Sequence, residues 1–162
     1  SIQKAQYLYN EIGCDCFADD TGLEVDALGG APGVYTARYA GEEKDFNKNM
    51  DKVLYELQRM EAEASMAASL GIKTRKVSRR ARFKSVITLI IDGKIHLFEG
   101  ALEGEIAREK SGNGGFGYDP IFVADEYPGL TLADITEEQK NEISHRGKAL
   151  RAMAEWLKSQ NS

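Results

Sequence analysis

Little in this sequence would cross-link or anchor it. Its 162 residues include only two cysteines, Cys14 and Cys16, in "GCDCF". Two thiols cannot supply the four ligands of a structural zinc site. On a strand they share one face, and they read as reduced, packed side chains. The cytoplasm is then the default compartment. Proline occurs three times and tryptophan once. No apolar run approaches the roughly 18 residues of a membrane span, and no signal-peptide pattern stands in the sequence; no membrane partner is expected. A net charge of -5 does not suit a general nucleic-acid binder. Neither a Ser-His-Asp elbow, nor H-E-x-x-H, nor a P-loop appears.

What is present reads as one α/β or α+β domain. The chain opens "SIQKAQYLYN", without Met or a capping signal. Ile2, Ala5, Leu8 or Tyr9, and Ile12 recur at helical spacing, so the pattern predicts a helix entered midway and left at Gly13. "CDCFA" predicts a short strand delivering Asp19 and Asp20 at its end. "GLEVDALGGAPGV" continues as strand or extended turn into a glycine-rich loop. Phe46, Met50, Val53, Leu54, Leu57 and Met60 mark an amphipathic helix between Glu43 and about Ser69. "RARFKSVITLIIDGKIHLFEG" alternates with period two around Asp92-Gly93, a two-residue hairpin signal. "ALEGEIARE" predicts another strand and "PIFVAD" a short one. Thr136 and Gln139 have capping-box spacing. Ser144 is expected to cap a last helix with an apolar stripe of Ala149, Leu150, Met153, Trp156 and Leu157.

Four stretches could carry chemistry. "DDTG" sets two carboxylates side by side. On a strand their side chains point to opposite faces, so one can face a cleft while the other braces. Mg2+ commonly takes one or two carboxylates plus phosphates and waters; the alternative is a solvated turn. "SGNGGFGYDP" contains G-x-G-x-x-G, but Tyr118-Asp119-Pro120 lead into a strand, whereas the dinucleotide fingerprint must open a helix. It reads instead as a ligand loop, with Phe116 and Tyr118 offering flat faces and Asp119 accepting from ring N–H groups, or as a tight hairpin loop with its aromatics in the core. Lys140, His145 and Arg146 form a cationic corner for an anionic or keto-bearing ligand, or ordinary surface charge. Seven basic residues between Lys73 and Lys84 suggest a solvated loop or partner surface.

Taken together, the blocks "ADDTGLEVDALGGAPGVYTARYAG", "RRARF", "GNGGFGYDPIF" and "ISHRGKAL" resemble the inosine triphosphate pyrophosphatase family, also called Ham1-like or non-canonical purine NTP pyrophosphatases. They occur in family order and span nearly the whole chain. The resemblance implies an elongated, two-lobed α/β fold, with a long mixed sheet flanked by helices around a nucleotide cleft, usually as a homodimer. It implies Mg2+-dependent hydrolysis of ITP, dITP and XTP to the monophosphate and pyrophosphate, cleansing the nucleotide pool. By position, Asp20 matches the proton acceptor and Mg2+ ligand, with Asp19 a further candidate ligand or a brace. Thr21 stands where a Ser or Thr contacts substrate. Phe116, Gly117, Tyr118 and Asp119 match the nucleotide-contacting loop, and Lys140 a substrate-binding lysine. His145 and Arg146 match the pair that reads the base. "SIQKA" resembles the end of a family helix and puts Lys4 on its lysine.

The family's N-terminal strand-loop-helix, with its S/T-x-N-x-x-K motif, has no counterpart in residues 1–162, which otherwise read as a single pyrophosphatase domain. As written, the chain is therefore expected to be a weak catalyst or none. "EAEASMAASLGIKTRKVS" is longer than the family needs before "RRARF", so an extended helix or loop is expected there. The alternative readings are a Maf-like nucleotide pyrophosphatase and a non-catalytic nucleotide-binding remnant.

Overall fold

The computed structural model describes residues 2, 16–113 and 115–160. The first predicted helix, but for Ile2, lies outside them, as do Lys4, Cys14 and Gly114. Four strands form one sheet in the order β1-β2-β3-β4: β1 Cys16–Val25, β2 Arg80–Ile91, β3 Lys94–Ile106 and β4 Phe122–Ala124. Among the described residues there are three α-helices, α1 Phe46–Ser69 between β1 and β2, then α2 Glu137–Ile143 and α3 His145–Gln160 after β4. The architecture is the mixed α/β class expected from the sequence.

One strand expectation is decided and another changes. β1 runs through Asp19-Asp20 to Val25 as one strand, so of strand or extended turn the stretch after the aspartates is strand, because Leu23 and Val25 alternate inward and are fully buried. "ALEGEI" is no separate strand; it is the second half of β3. There Leu102, Gly104 and Ile106 face inward, and Gly104 pairs with Ala124 of antiparallel β4. The Asp92-Gly93 hairpin is present, both residues having positive φ (50° and 74°), as a type I′ turn requires. In β2 the alternation Ala81, Phe83, Ser85, Ile87, Leu89 is inward throughout. Thr88 and Ile90 are buried as well, the pattern of a strand covered on both faces.

Asp45 caps the start of α1, its carboxylate accepting from Lys48 N at 3.2 Å. Met50, Val53 and Leu57 bury one stripe, and Phe46 meets the Tyr118 ring edge-on at 5.6 Å. Its tail is helical to Ser69, as the sequence predicts. It ends in a Schellman motif: Ile72 N bonds Ala67 O at 3.0 Å, Gly71 N bonds Ala68 O at 3.0 Å, and Gly71 takes φ 78°, a conformation that suits glycine. In α3 only Ala149 is fully buried; Leu150 and Leu157 are exposed, so the packed stripe is narrower than the spacing suggested. Trp156 packs on His96, with ring centroids 4.3 Å apart.

The chain resolves into two compact units. One contains the residues up to Thr21, 83–102 and 141 onward; the other contains 22–82 and 103–140. Each has its own buried residues: Phe83, Ile87, Ile90, Leu102 and Ala149 in the first, Leu23, Val53, Leu57, Tyr118, Ile121 and Phe122 in the second.

Candidate active site

In the first unit, β1 presents Asp19, Asp20 and Thr21 in succession. Asp19 is partly buried, and Asp20 and Thr21 are exposed. Strand alternation puts Asp19 and Thr21 on one face and Asp20 on the other. Thr21 Oγ1 lies 3.1 Å from Ser85 Oγ of β2. The Asp19 carboxylate lies 3.1 Å from Arg146 Nη2 at the start of α3. The two carboxylates therefore differ in setting: one grips a guanidinium, and the other occupies the opposite face.

His145 and Arg146 open α3 as expected. Ser144 Oγ accepts from Gly147 N at 3.0 Å, which fixes the first turn. The His145 ring stacks on Phe83 of β2, with centroids 5.1 Å apart and planes 17° from parallel. Lys148 Nζ donates to Ala101 O of β3 at 2.9 Å. A Cβ on Gly100 would lie 2.1 Å from His145 O and 2.7 Å from Ala149 N. The helix start thus rests directly on β3, where only glycine leaves room. Phe83 and Gly100 were not legible as site residues. Phe83 reads as strand core, and its partner lies 62 positions further on.

In the second unit, the segment around Phe116 is built on Asp119. Its Oδ2 accepts from Phe116 N at 2.9 Å and pairs with Lys140 Nζ. Asp119 is 5% exposed, so this ion pair is nearly dry. Lys140 Nζ also lies 4.8 Å from the Phe116 ring centroid, within cation–π range. Phe116 itself is 78% exposed, an apolar face turned to solvent. Tyr118 corrects the expectation of a second flat face. It is 1% exposed, and its hydroxyl donates to Thr36 O at 2.6 Å, so it braces the loop from behind. Burial raises its pKa, with Tyr39 adding to the effect. No helix follows the glycine run: Asp119–Ile121 form a 3-10 turn that leads into β4. The loop flanks a hollow of about 580 Å³ lined also by Lys44, Phe46 and Asn47.

The basic segment divides. Lys73 to Ser78 is exposed coil apart from the half-buried Val77, but the arginines after it are engaged. Arg80 makes a two-pronged pair with Asp125 (2.7 and 2.8 Å). Arg82 bridges Asp26 and Glu103 (2.8 and 3.0 Å). Each guanidinium lowers the pKa of its aspartate partner, chiefly through the hydrogen bond.

No three His, Cys, Asp or Glu side chains gather as a metal-binding group among the described residues. Mg2+ does not need such a cage, since it keeps several waters and takes phosphate oxygens with one or two carboxylates. Asp20, exposed on β1, fits that more open mode.

Comparison with known proteins bears on the family and the fold. The family model of the Ham1 family matches residues 1–156. A dITP/XTP pyrophosphatase of Flavobacterium psychrophilum is 49% identical over 159 residues, which cover 98% of this chain and 75% of that protein. A dITP/XTP pyrophosphatase of Bacillus subtilis is 41% identical over 160 residues, 98% of this chain and 73% of that protein. The Staphylococcus aureus Ham1 protein superposes with a TM-score of 0.83 at 38% identity, over 98% of this chain and 74% of that one. A HAM1 protein from Coxiella burnetii gives 0.83 at 36%, with the same shares covered. The chain belongs to the Ham1 family.

Proposed function

We propose that this protein hydrolyses non-canonical purine nucleoside triphosphates, namely ITP, dITP and XTP, to the monophosphate and pyrophosphate, and so clears them from the nucleotide pool. The observation that carries this reading is the 49% identity to a dITP/XTP pyrophosphatase along 98% of the chain.

The residues divide the work by chemistry. Asp20 accepts the proton of the attacking water as its oxygen bonds to the α-phosphorus and the bond to the β-phosphate oxygen breaks. Asp20 is also the carboxylate that would hold Mg2+. When bound, the ion spreads phosphate charge and helps a water react near neutral pH. Asp19 holds Arg146 in place. Thr21 and Lys140 bind substrate oxygens, Lys140 being seated by Asp119 and Phe116. The open Phe116 face packs on the flat purine. Donors of His145 and Arg146 serve the 6-keto oxygen of hypoxanthine or xanthine. Adenine would set an amino donor against those donors and leave them unpaired, a heavy penalty in a closed site.

The cytoplasm and a homodimer belong to the same reading, and sedimentation of the purified protein checks the dimer. The deciding assay is pyrophosphate release from ITP, dITP, XTP, GTP and ATP with Mg2+, using the protein in its natural full length. Rapid turnover of the first three, slow turnover of GTP and ATP, and loss with Asp20→Asn are expected. No turnover of any of them leaves a nucleotide-binding protein and removes the role given to Asp20.

A further inference from the structure

The second unit contains another hollow, and the proposed activity makes no use of it. It has a volume of about 860 Å³ and lies among the later turns of α1, the coil before β2 and the end of β3. Phe46 lies beside the nucleotide loop, and Glu61 lines this hollow. They are fifteen residues apart on one helix, about 22 Å at 1.5 Å per residue, so the two places are distinct.

The hollow is basic in a chain whose net charge is -5. Arg75, Lys76, Arg79, Arg80 and Arg108 line it, against Glu61 and Glu105. Their commitments differ. Arg79 is fixed: Nε donates to Ile106 O (2.9 Å), Nη2 to Ala107 O (2.7 Å), and Nη1 pairs with Glu61. Arg108 Nη1 shares the same carboxylate at 3.0 Å, so two guanidinia meet one acid and leave a net positive charge. Arg80 is occupied by Asp125. Arg75 and Lys76 are exposed and make no ion pair among the described residues. One guanidinium is thus fixed, two are paired with acids, and two exposed cations make no ion pair among the described residues.

No aromatic residue lines the hollow, so nothing there could stack a base, as single-stranded nucleic-acid sites do. Glu105 offsets one of these cations whatever the ligand's charge; the charge left over is still positive, and attraction to it grows with the number of negative charges on the ligand. We propose that this hollow is a second binding site, for a short phosphate chain recognised by charge alone, either as inorganic polyphosphate or as the tail of a nucleotide.

An amide NMR titration without Mg2+ tests it. Inorganic tripolyphosphate is added to the wild-type protein and to the Arg75→Ala/Lys76→Ala variant, both of whose changes lie in exposed coil. Saturable shifts at Thr74 to Ser78, Ala107 and Arg108 are expected, with a midpoint of about 1 mM or tighter. The double variant should weaken them roughly tenfold, equivalent to 1.4 kcal/mol, and leave the shifts at Phe116 to Asp119 in place. A non-hydrolysable ATP analogue that shifts the same amides makes the nucleotide tail a ligand; silence with it restricts the site to inorganic chains. The proposal is overturned by shifts only at the nucleotide loop, by a drift that never saturates, by shifts the double variant leaves unchanged, or by tighter, steeply salt-dependent binding of a short RNA.

Discussion

The carboxylate of Asp19 lies 3.1 Å from the guanidinium of Arg146, while Asp20, its neighbour, is carried to the opposite face of β1. Adjacent acids thereby have different surroundings, and the proposed function gives them different duties. Asp20→Asn should lower turnover of dITP by about 10²- to 10⁴-fold, the usual range for losing a general base. Asp19→Asn keeps that base and loosens Arg146. Its effect should fall on KM and on the preference for ITP over ATP, with kcat changed much less. Steady-state pyrophosphate release from both substrates separates the two variants, and equal losses in kcat would contradict the division of labour.

Lys140→Ala should damage both stability and binding. The pair it forms with Asp119 is nearly buried, with side-chain exposures of 17% and 7%. Removing one partner of such a pair costs about 3–5 kcal/mol, because the other charge is stranded. Asp119 keeps the Phe116 amide as a donor, which puts the expected loss at the lower end. A fall in the melting midpoint together with a raised KM for dITP is the expected result. A changed KM with an unchanged melting midpoint would show that the ion pair contributes little to the fold.

These contrasts show what the sequence could and could not convey. Period-two alternation located β2, and Asp-Gly located its turn, because both signals are local. The capping box was equally legible: Thr136 N donates to Gln139 Oε1 at 2.9 Å and Gln139 N to Thr136 Oγ1 at 3.1 Å. The motif blocks also named the residues that gather around Asp119 and at the start of α3. Their supports stayed hidden. Tyr118 could be read as a binding face or as core because an aromatic in a glycine loop has no local mark of burial; Thr36, which accepts its hydroxyl proton, lies 82 positions away. The full extent of β1 was half legible: the stretch after Asp19-Asp20 could be strand or extended turn, and the burial of Leu23 and Val25 decides for strand.

Tyr118 gives a pH dependence with a definite sign. Its folded-state pKa is raised, first by burial, so the folded protein keeps a proton that the unfolded chain releases at about pH 10. Stability then falls as pH rises through and beyond that value. Tyr118→Phe should cost about 0.5–1.5 kcal/mol at neutral pH through the lost hydrogen bond, while making the alkaline decline shallower. Melting midpoints of both proteins between neutral and strongly alkaline pH check this. Parallel curves would mean that other groups cause the decline.

Gly100→Ala tests whether the β3 contact sets the corner to which the proposed function gives the reading of the base. The new methyl would sit 2.1 Å from His145 O and 2.7 Å from Ala149 N, both backbone atoms that cannot rotate away. Either α3 lifts from β3 or the strand bends, and in both cases the stack of His145 on Phe83 is disturbed. Overpacking of this kind typically costs about 1–3 kcal/mol, so the protein should still fold at low temperature. Under those conditions a misplacement of about 1 Å at a binding group should reduce kcat/KM for dITP by up to about 10²-fold. Phe83→Leu provides the companion measurement: it keeps an apolar core residue but removes the stacking partner. If the contact positions His145, both variants lose discrimination between ITP and ATP. If Gly100→Ala lowers only the melting midpoint and leaves that ratio unchanged, the close approach serves the fold and not the reading of the base.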